Sequence, residues 1–326
     1  MIIKNIAAFD GQHCETTTTG TLLRQLDINL SEPMLFGLGE GLAFIFWKMK
    51  AMDYPFIGGR VKPDVLTQNI CRHLKLDLVS QETTSISKAW ENVTQQLDKG
   101  IVVGLKLDCY YLEYFSHAIH FAGHYAAMYG YDQNNAYMVD TCQQGALVKT
   151  SLKSLASARA AKGPMSSKNL SYTITKTSRT FDLQVAIQEA IRNNANAYLN
   201  PPINNINFKG IKKASTQIIK WFKSSRDITG DFSGAAALME KAGTGGALFR
   251  NLYRDFLKES FALLKHELLE EAHQDFIGIA GDWTEVSKLF LKTSETKDIK
   301  YIEQASEKMN LLSSKEKEAM EKLARI

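Results

Sequence analysis

HYAAMYGYDQNNAYMVD, residues 124–140, sets the fold of the first half of the chain. It reads as two short strands, His124–Tyr131 and Ala136–Asp140, rich in aromatic and β-branched residues. Asp132–Asn135 between them is a run of polar turn formers, so the pair folds back as a hairpin. A hairpin of this length brings its two ends, His124 and Asp140, side by side. A carboxylate beside an imidazole fixes its tautomer, which is the use made of such pairs in nucleophilic catalysis.

On either side of the hairpin, Ile101–Leu107 has strand character, and Tyr172–Thr175 adds a further strand. Residues 1–13 form an extended lead-in with Ile2, Ile3, Ile6 and Phe9 as core candidates. A helix is predicted from Cys14 to Leu26, where packing must override the poor propensity of Thr16–Thr19 and Gly20. Ser31-Glu32-Pro33 is a helix start, with a hydroxyl cap and Pro in the first turn. Phe36–Gly41 is a glycine-rich turn into the apolar stretch Leu42–Trp47. Pro63-Asp64 opens a short helix to Leu74. Ile86, Ala89, Trp90, Val93 and Leu97 recur at helical spacing, and Gly100 ends that helix. From Phe181 onward the predicted elements are all helical, spanning 181–199, 208–224, 235–241, 247–273, 282–292 and 297–324. Asn200–Pro202 and Gly243–Gly246 are the clear breaks. The fold class is therefore α+β: a sheet-bearing domain over 1–178, then a mostly helical domain over 179–326.

Composition narrows the function classes. Of 326 residues, 44% are hydrophobic and 23% charged, ordinary for a globular chain and incompatible with global disorder. The net charge of +4 divides evenly, with 17 basic and 15 acidic residues up to Ser178 and 22 and 20 after it. Neither half has the basic excess that drives binding to nucleic acid or an anionic membrane. No apolar window is long enough for a membrane span, and no signal-peptide pattern opens the chain. Four cysteines without a CxxC pair fit a reducing, cytoplasmic setting rather than a disulfide scaffold. His117, His120 and His124 would share one helix face, but His124 begins a strand, so no metal site is expected. The glycines of 36–41 lack a Walker lysine and a dinucleotide fingerprint, and no cofactor is expected.

Chemistry points to Cys14. It sits at the predicted start of a helix, where the partial positive charge and unpaired N–H groups favour thiolate and can bind an oxyanion. A nucleophile on an early helix, with His124 and Asp140 on a later hairpin, is the arrangement of papain-like enzymes. Gly11-x-His13-Cys14, Phe36-Gly37-Leu38-Gly39-x-Gly41, and His124 with Gly130-Tyr131-Asp132 and Val139-Asp140 resemble the N-terminal domain of the butirosin biosynthesis protein H family. Glu240 through Leu257, with Gly243-Thr244-Gly245-Gly246, Phe249-Arg250 and Tyr253, resembles the helical domain that accompanies it.

The resemblance implies an acyltransferase that moves an acyl group from an acyl carrier protein thioester to an amine in antibiotic biosynthesis. Cys14 would be nucleophile, His124 base and then acid, and Asp140 orienter. Many papain-like enzymes carry an oxyanion Gln about six residues before the Cys; Ala8 stands there, leaving Gln12 as the nearest amide. In the helical domain, expected to supply an acceptor site or lid, Glu240 suits a cationic amine and Arg250 an anionic donor group. Interdomain salt bridges are the competing role for both. Two other functions share the motifs: a papain-like peptidase or amidase with water as acceptor, and a catalytically silent binding module.

Overall fold

The computed structural model describes residues 1–48, 52, 54–116, 120–163 and 165–326. In chain order the elements are α1 (Cys14–Arg24), α2 (Glu32–Leu38), β1 (Leu42–Trp47), β2 (Phe56–Arg60), α3 (Val65–His73), β3 (Asp77–Gln81) and α4 (Ile86–Leu97). There follow β4 (Val103–Leu107), β5 (His124–Tyr131), β6 (Asn135–Val139), β7 (Leu147–Ser151), α5 (Leu152–Ala160) and β8 (Ser171–Thr175). Helices α6 (Leu183–Leu199), α7 (Asn207–Ser224), α8 (Ile228–Glu240), α9 (Arg250–Leu264), α10 (Glu267–Thr296) and α11 (Ile299–Leu323) complete the chain. The architecture is mixed α+β, sheet-rich first and helical afterwards. Among the described residues no helix is long and apolar enough to cross a membrane.

The chain forms two compact units, one of Met1–Leu35 with Pro63–Phe181, the other of Phe36–Lys62 with Asp182–Ile326. In the first, six antiparallel strands run in the order β3-β8-β4-β5-β6-β7. One core of this unit gathers Val103, Leu105 and Leu107 of β4, Ala126 and Met128 of β5, Val93 and Leu97 of α4, and Leu155 and Ala158 of α5. The hairpin of β5 and β6 is closed by Asp132, whose carboxylate accepts from the Asn134 and Asn135 amides at 2.7 Å and from the Tyr137 hydroxyl at 2.6 Å. Those bonds, Tyr137 first, hold the Asp132 carboxyl down at about 2. In α1 the Thr16–Thr19 run is fully buried, and Gly20 lies under the Phe9 ring, where a Cβ would come within 2.4 Å. Packing overrides propensity there.

The second unit is helical except for the β1–β2 hairpin, a segment that the sequence grouped with residues 1–178. It packs on α7: Ile45 bridges to Ile206, Phe46 N–H donates to Asn205 at 3.0 Å, and Phe44 N–H donates to the Asn207 side chain at 3.2 Å. Phe44 also stacks on Trp283 of α10. Two differences from the predicted helices have physical causes. The break expected between 273 and 282 is absent, because α10 runs 30 residues through Gly278 and Gly281. Nothing lies near either glycine, so each costs about 1 kcal/mol in propensity. Burying Phe276, Ile279, Ala280 and Trp283 outweighs that. The break falls instead at Lys265, which is left-handed at φ 54°.

Arg250 and Glu316 form a salt bridge with neither side chain exposed. Nε and Nη2 donate to the two carboxylate oxygens at 2.9 and 2.8 Å, and Nη1 donates to the carbonyls of Ala43, Gly59 and Leu248. Glu316 also accepts from the Trp283 indole at 2.6 Å and from the Tyr198 hydroxyl. Removing one partner strands a buried charge. Arg250→Ala should cost about 3–5 kcal/mol in urea unfolding, whereas Lys317→Ala on the exposed face of α11 should cost about 1 kcal/mol or less. Equal effects of the two substitutions would contradict a structural role for Arg250.

Candidate active site

Cys14 is the first residue of α1, and Thr17 N–H closes the first turn on the His13 carbonyl at 2.9 Å. The segment leading into it is held by Glu32. One Glu32 oxygen accepts from the amides of Gln12 and His13 at 3.0 and 2.9 Å and from the Thr16 hydroxyl at 2.8 Å. The other also accepts from Gln12 N–H at 3.0 Å. A carboxylate at a helix N-terminus is favoured by the dipole, and here it anchors the approach to the thiol. From the other side, Cys142 N–H donates to the Gly11 carbonyl at 2.9 Å. The loop that follows Asp140 is thus joined to the loop that precedes Cys14.

The ends of the 124–140 hairpin meet as its sequence predicts. The register Ala127↔Val139 sets Asp140 across from Ala126, on the same side of the sheet as His124. His124 Nε2 lies 2.7 Å from Asp140 Oδ2, with Asp140 fully buried. Tyr114 donates its hydroxyl to the same oxygen at 2.7 Å, and Thr141 N–H donates to Oδ1 at 2.6 Å. Phe115 stands edge-on to the imidazole, with ring centroids 5.2 Å apart. Burial disfavours a charged imidazole, yet the Asp140 carboxylate and the Cys109 sulfur outweigh it and hold His124 protonated well above its ordinary 6.5. Burial, then the charge of Asp140, raises the Tyr114 phenol, which therefore stays a donor.

Residues 13–141 match the family described as Butirosin biosynthesis protein H, N-terminal, and residues 153–323 match Domain of unknown function (DUF4872). The chain belongs to the family defined by DUF4872, which spans just over half of it, and carries before it a domain matching the butirosin biosynthesis protein H N-terminal family. No curated protein matches it. Cys14, His124 and Asp140 all lie within the matched N-terminal domain.

Within that domain the structure joins His124 to Asp140 but forms no hydrogen bond between the Cys14 thiol and His124. Cys14 and Cys109 both act electrostatically on Tyr114, and Cys109 also acts on His124. Cys109 is the residue that sequence reasoning missed; its only signal was its place fifteen residues before a candidate base. Glu32 was missed too, since Ser31-Glu32-Pro33 spoke only of a helix start. Gln12 is exposed, and its backbone amide is committed to Glu32, so only its side chain is left for an oxyanion. His120 holds Asp108 through Nδ1 at 3.0 Å and stacks on Tyr110, while His117 lies outside the described residues. Cys71 is a buried thiol pushed up to about 12 by burial.

In the DUF4872 domain, Arg250, expected to meet an anionic donor group, is buried, and its guanidinium is engaged by Glu316 and three carbonyls. Glu240 accepts from Ala247 N–H at 3.3 Å, closing the glycine turn. Thr244 caps the same turn, accepting from Gly246 N–H and donating to the Met239 carbonyl. The Gly246 and Ala247 amides are thus satisfied by the Thr244 and Glu240 side chains, which is the pattern of a structural turn.

Because His124 holds its proton more tightly folded than unfolded, its contribution to stability is complete below 6.5 and is lost as pH rises through the folded-state value. The stability difference between wild type and His124→Gln should therefore be largest near pH 6 and shrink at alkaline pH, measured by urea melts at pH 6, 8 and 10. A difference that grows with pH would mean that the buried imidazole is neutral.

Proposed function

We propose that the chain is a cysteine-dependent acyltransferase with a papain-like N-terminal domain, acting in natural-product biosynthesis with Cys14, His124 and Asp140 as its catalytic residues. The observation that carries this reading is the buried His124–Asp140 bond, on a loop that is hydrogen-bonded to the segment entering Cys14. A protonated imidazole, fixed by a buried carboxylate, is the counterion that a helix-terminal thiolate requires. Catalytic hydrogen bonds are often long in an unliganded enzyme and tighten with substrate, so a Cys14 thiol not hydrogen-bonded to His124 is compatible with this assignment.

In the reaction, Cys14 thiolate attacks the carbonyl of a thioester, most naturally one borne by an acyl carrier protein. The bond from carbon to Cys14 sulfur forms, the bond to the donor sulfur breaks, and His124 gives its proton to the departing thiolate. A small amine-bearing acceptor then attacks the acyl-enzyme. His124 takes the proton from nitrogen as the amide forms and Cys14 leaves as thiolate. First-turn amides of α1 face the charge that develops on the carbonyl oxygen.

Intact-protein mass after incubation with a panel of acyl thioesters tests the proposal. Wild type and Cys109→Ser should gain one acyl group, and Cys14→Ser none. His124→Ala should slow acylation by about 10²–10⁴-fold. Added amines should discharge the acyl group as amide; release only as free acid would make the enzyme a hydrolase. Acylation that persists in Cys14→Ser and vanishes in Cys109→Ser would move the nucleophile to Cys109, and no acylation in any protein would leave a silent binding module.

A further inference from the structure

Helix α7 and the two residues after it, 207–226, carry Lys209, Lys212, Lys213, Lys220, Lys223 and Arg226 and no acidic residue. With them set aside, the chain has 33 basic and 35 acidic residues, so this one segment accounts for more than the whole net charge of +4. Lys209, Lys213, Lys220 and Lys223 follow i, i+4, i+11, i+14 spacing, which sets them in a single stripe about 21 Å long. All six basic side chains are exposed, while Ile211, Ala214, Ile218 and Trp221 on the other side of the helix are buried.

A solvated helix face normally mixes its charges, and α11 does. There Lys308 and Lys315 share Asp282 at 2.8 and 2.7 Å, Lys317 pairs with Glu321 at 3.1 Å, and Lys322 meets Asp275 at 2.7 Å. On α7, among the described residues, none of the six forms an ion pair. Lys213 donates to the neutral Asn205 side chain at 2.7 Å, and Lys209 lies over the Phe208 ring. Like charges at i,i+4 destabilise a helix by a few tenths of a kcal/mol each. Maintaining them without counterions on a chain that balances its charges elsewhere favours an external anionic partner.

We propose that the lysine stripe of α7 is the docking surface for a small acidic protein, the carrier that delivers the acyl thioester. The identity of that partner rests on the acyl-transfer reading; the surface itself does not. A lipid surface fits poorly, because the apolar side of α7 is buried in its own unit and has nothing to insert. A long nucleic acid fits poorly too, since the rest of the chain is slightly acidic and five of the six cations are lysines rather than base-reading arginines. A compact acidic partner matches a stripe of this length and gains in encounter rate from it.

The test compares wild type with Lys209→Glu, Lys213→Glu, Lys220→Glu and Lys223→Glu combined, all surface positions outside the proposed catalytic residues. A fluorescent acidic acyl carrier protein is titrated against each at 50 and 300 mM salt, and Cys14 acylation by a small acyl-pantetheine thioester is followed alongside. Carrier affinity should fall about tenfold or more in the variant and at the higher salt, with acylation by the small thioester unchanged. Equal carrier affinity in both proteins overturns the proposal, as does binding of duplex DNA or phosphatidylserine vesicles, but not carrier protein, to the stripe. Stripe-dependent carrier binding without Cys14 acylation by any thioester would retain the docking surface and reject the acyltransferase reading. Should the variant melt below wild type, Lys→Gln at the same four positions replaces it: weaker carrier binding supports the docking surface, and unchanged binding overturns it.

Discussion

Asp140 has no contact with water, and a carboxylate in that position must be saturated with donors or lose its charge. Its donors come from three places in the chain: His124 at the start of β5, Tyr114 in the loop after β4, and the amide of Thr141. Satisfying one anion therefore fixes the imidazole, the aromatic loop that shields it and the turn out of β6. The same turn reaches Gly11 through Cys142 N–H. The geometry at the entry to Cys14 depends on a hydrogen-bond requirement sixteen residues beyond the histidine.

Glu32 imposes the same requirement from the opposite direction. By accepting from the amides of Gln12 and His13, it takes up the two backbone donors that immediately precede Cys14. It also sets a negative charge near Cys142, whose thiol is raised by burial and then by Asp10 and Glu32. The most exposed thiol of the chain is thus held in its less reactive form beside the site.

Local patterns carried the β5–β6 hairpin, α4, α1 and the His124–Asp140 juxtaposition, because each depends on spacing within about twenty residues. What escaped depends on distant partners. Strand β3 is mostly exposed and lacks the alternation that marks a half-buried strand, being paired along one side to β8. Strand β7 and helix α5 fall in a stretch rich in serine and lysine, where β7 is paired to β6, α5 sets Leu155 and Ala158 into the core, and Glu113 accepts from the amide and hydroxyl of Ser151. The setting of Arg250 is hidden for a related reason. A charged residue beside a glycine turn looks exposed until Glu316, sixty-six residues away, is known to neutralise it.

The β1–β2 hairpin has a further meaning for how the molecule is made. Leu42, Phe44 and Ile57 emerge early in synthesis, but the residues that cover the hairpin, Ile206, Asn207 and Trp283, are at least 145 positions later. At typical ribosomal rates of roughly 5–20 residues per second, that apolar segment waits for many seconds with no final partner. The sheet of the first unit must form around a loop that leaves it at Leu35 and returns at Pro63. The hairpin therefore cannot reach its native packing until α7 and α10 have been made.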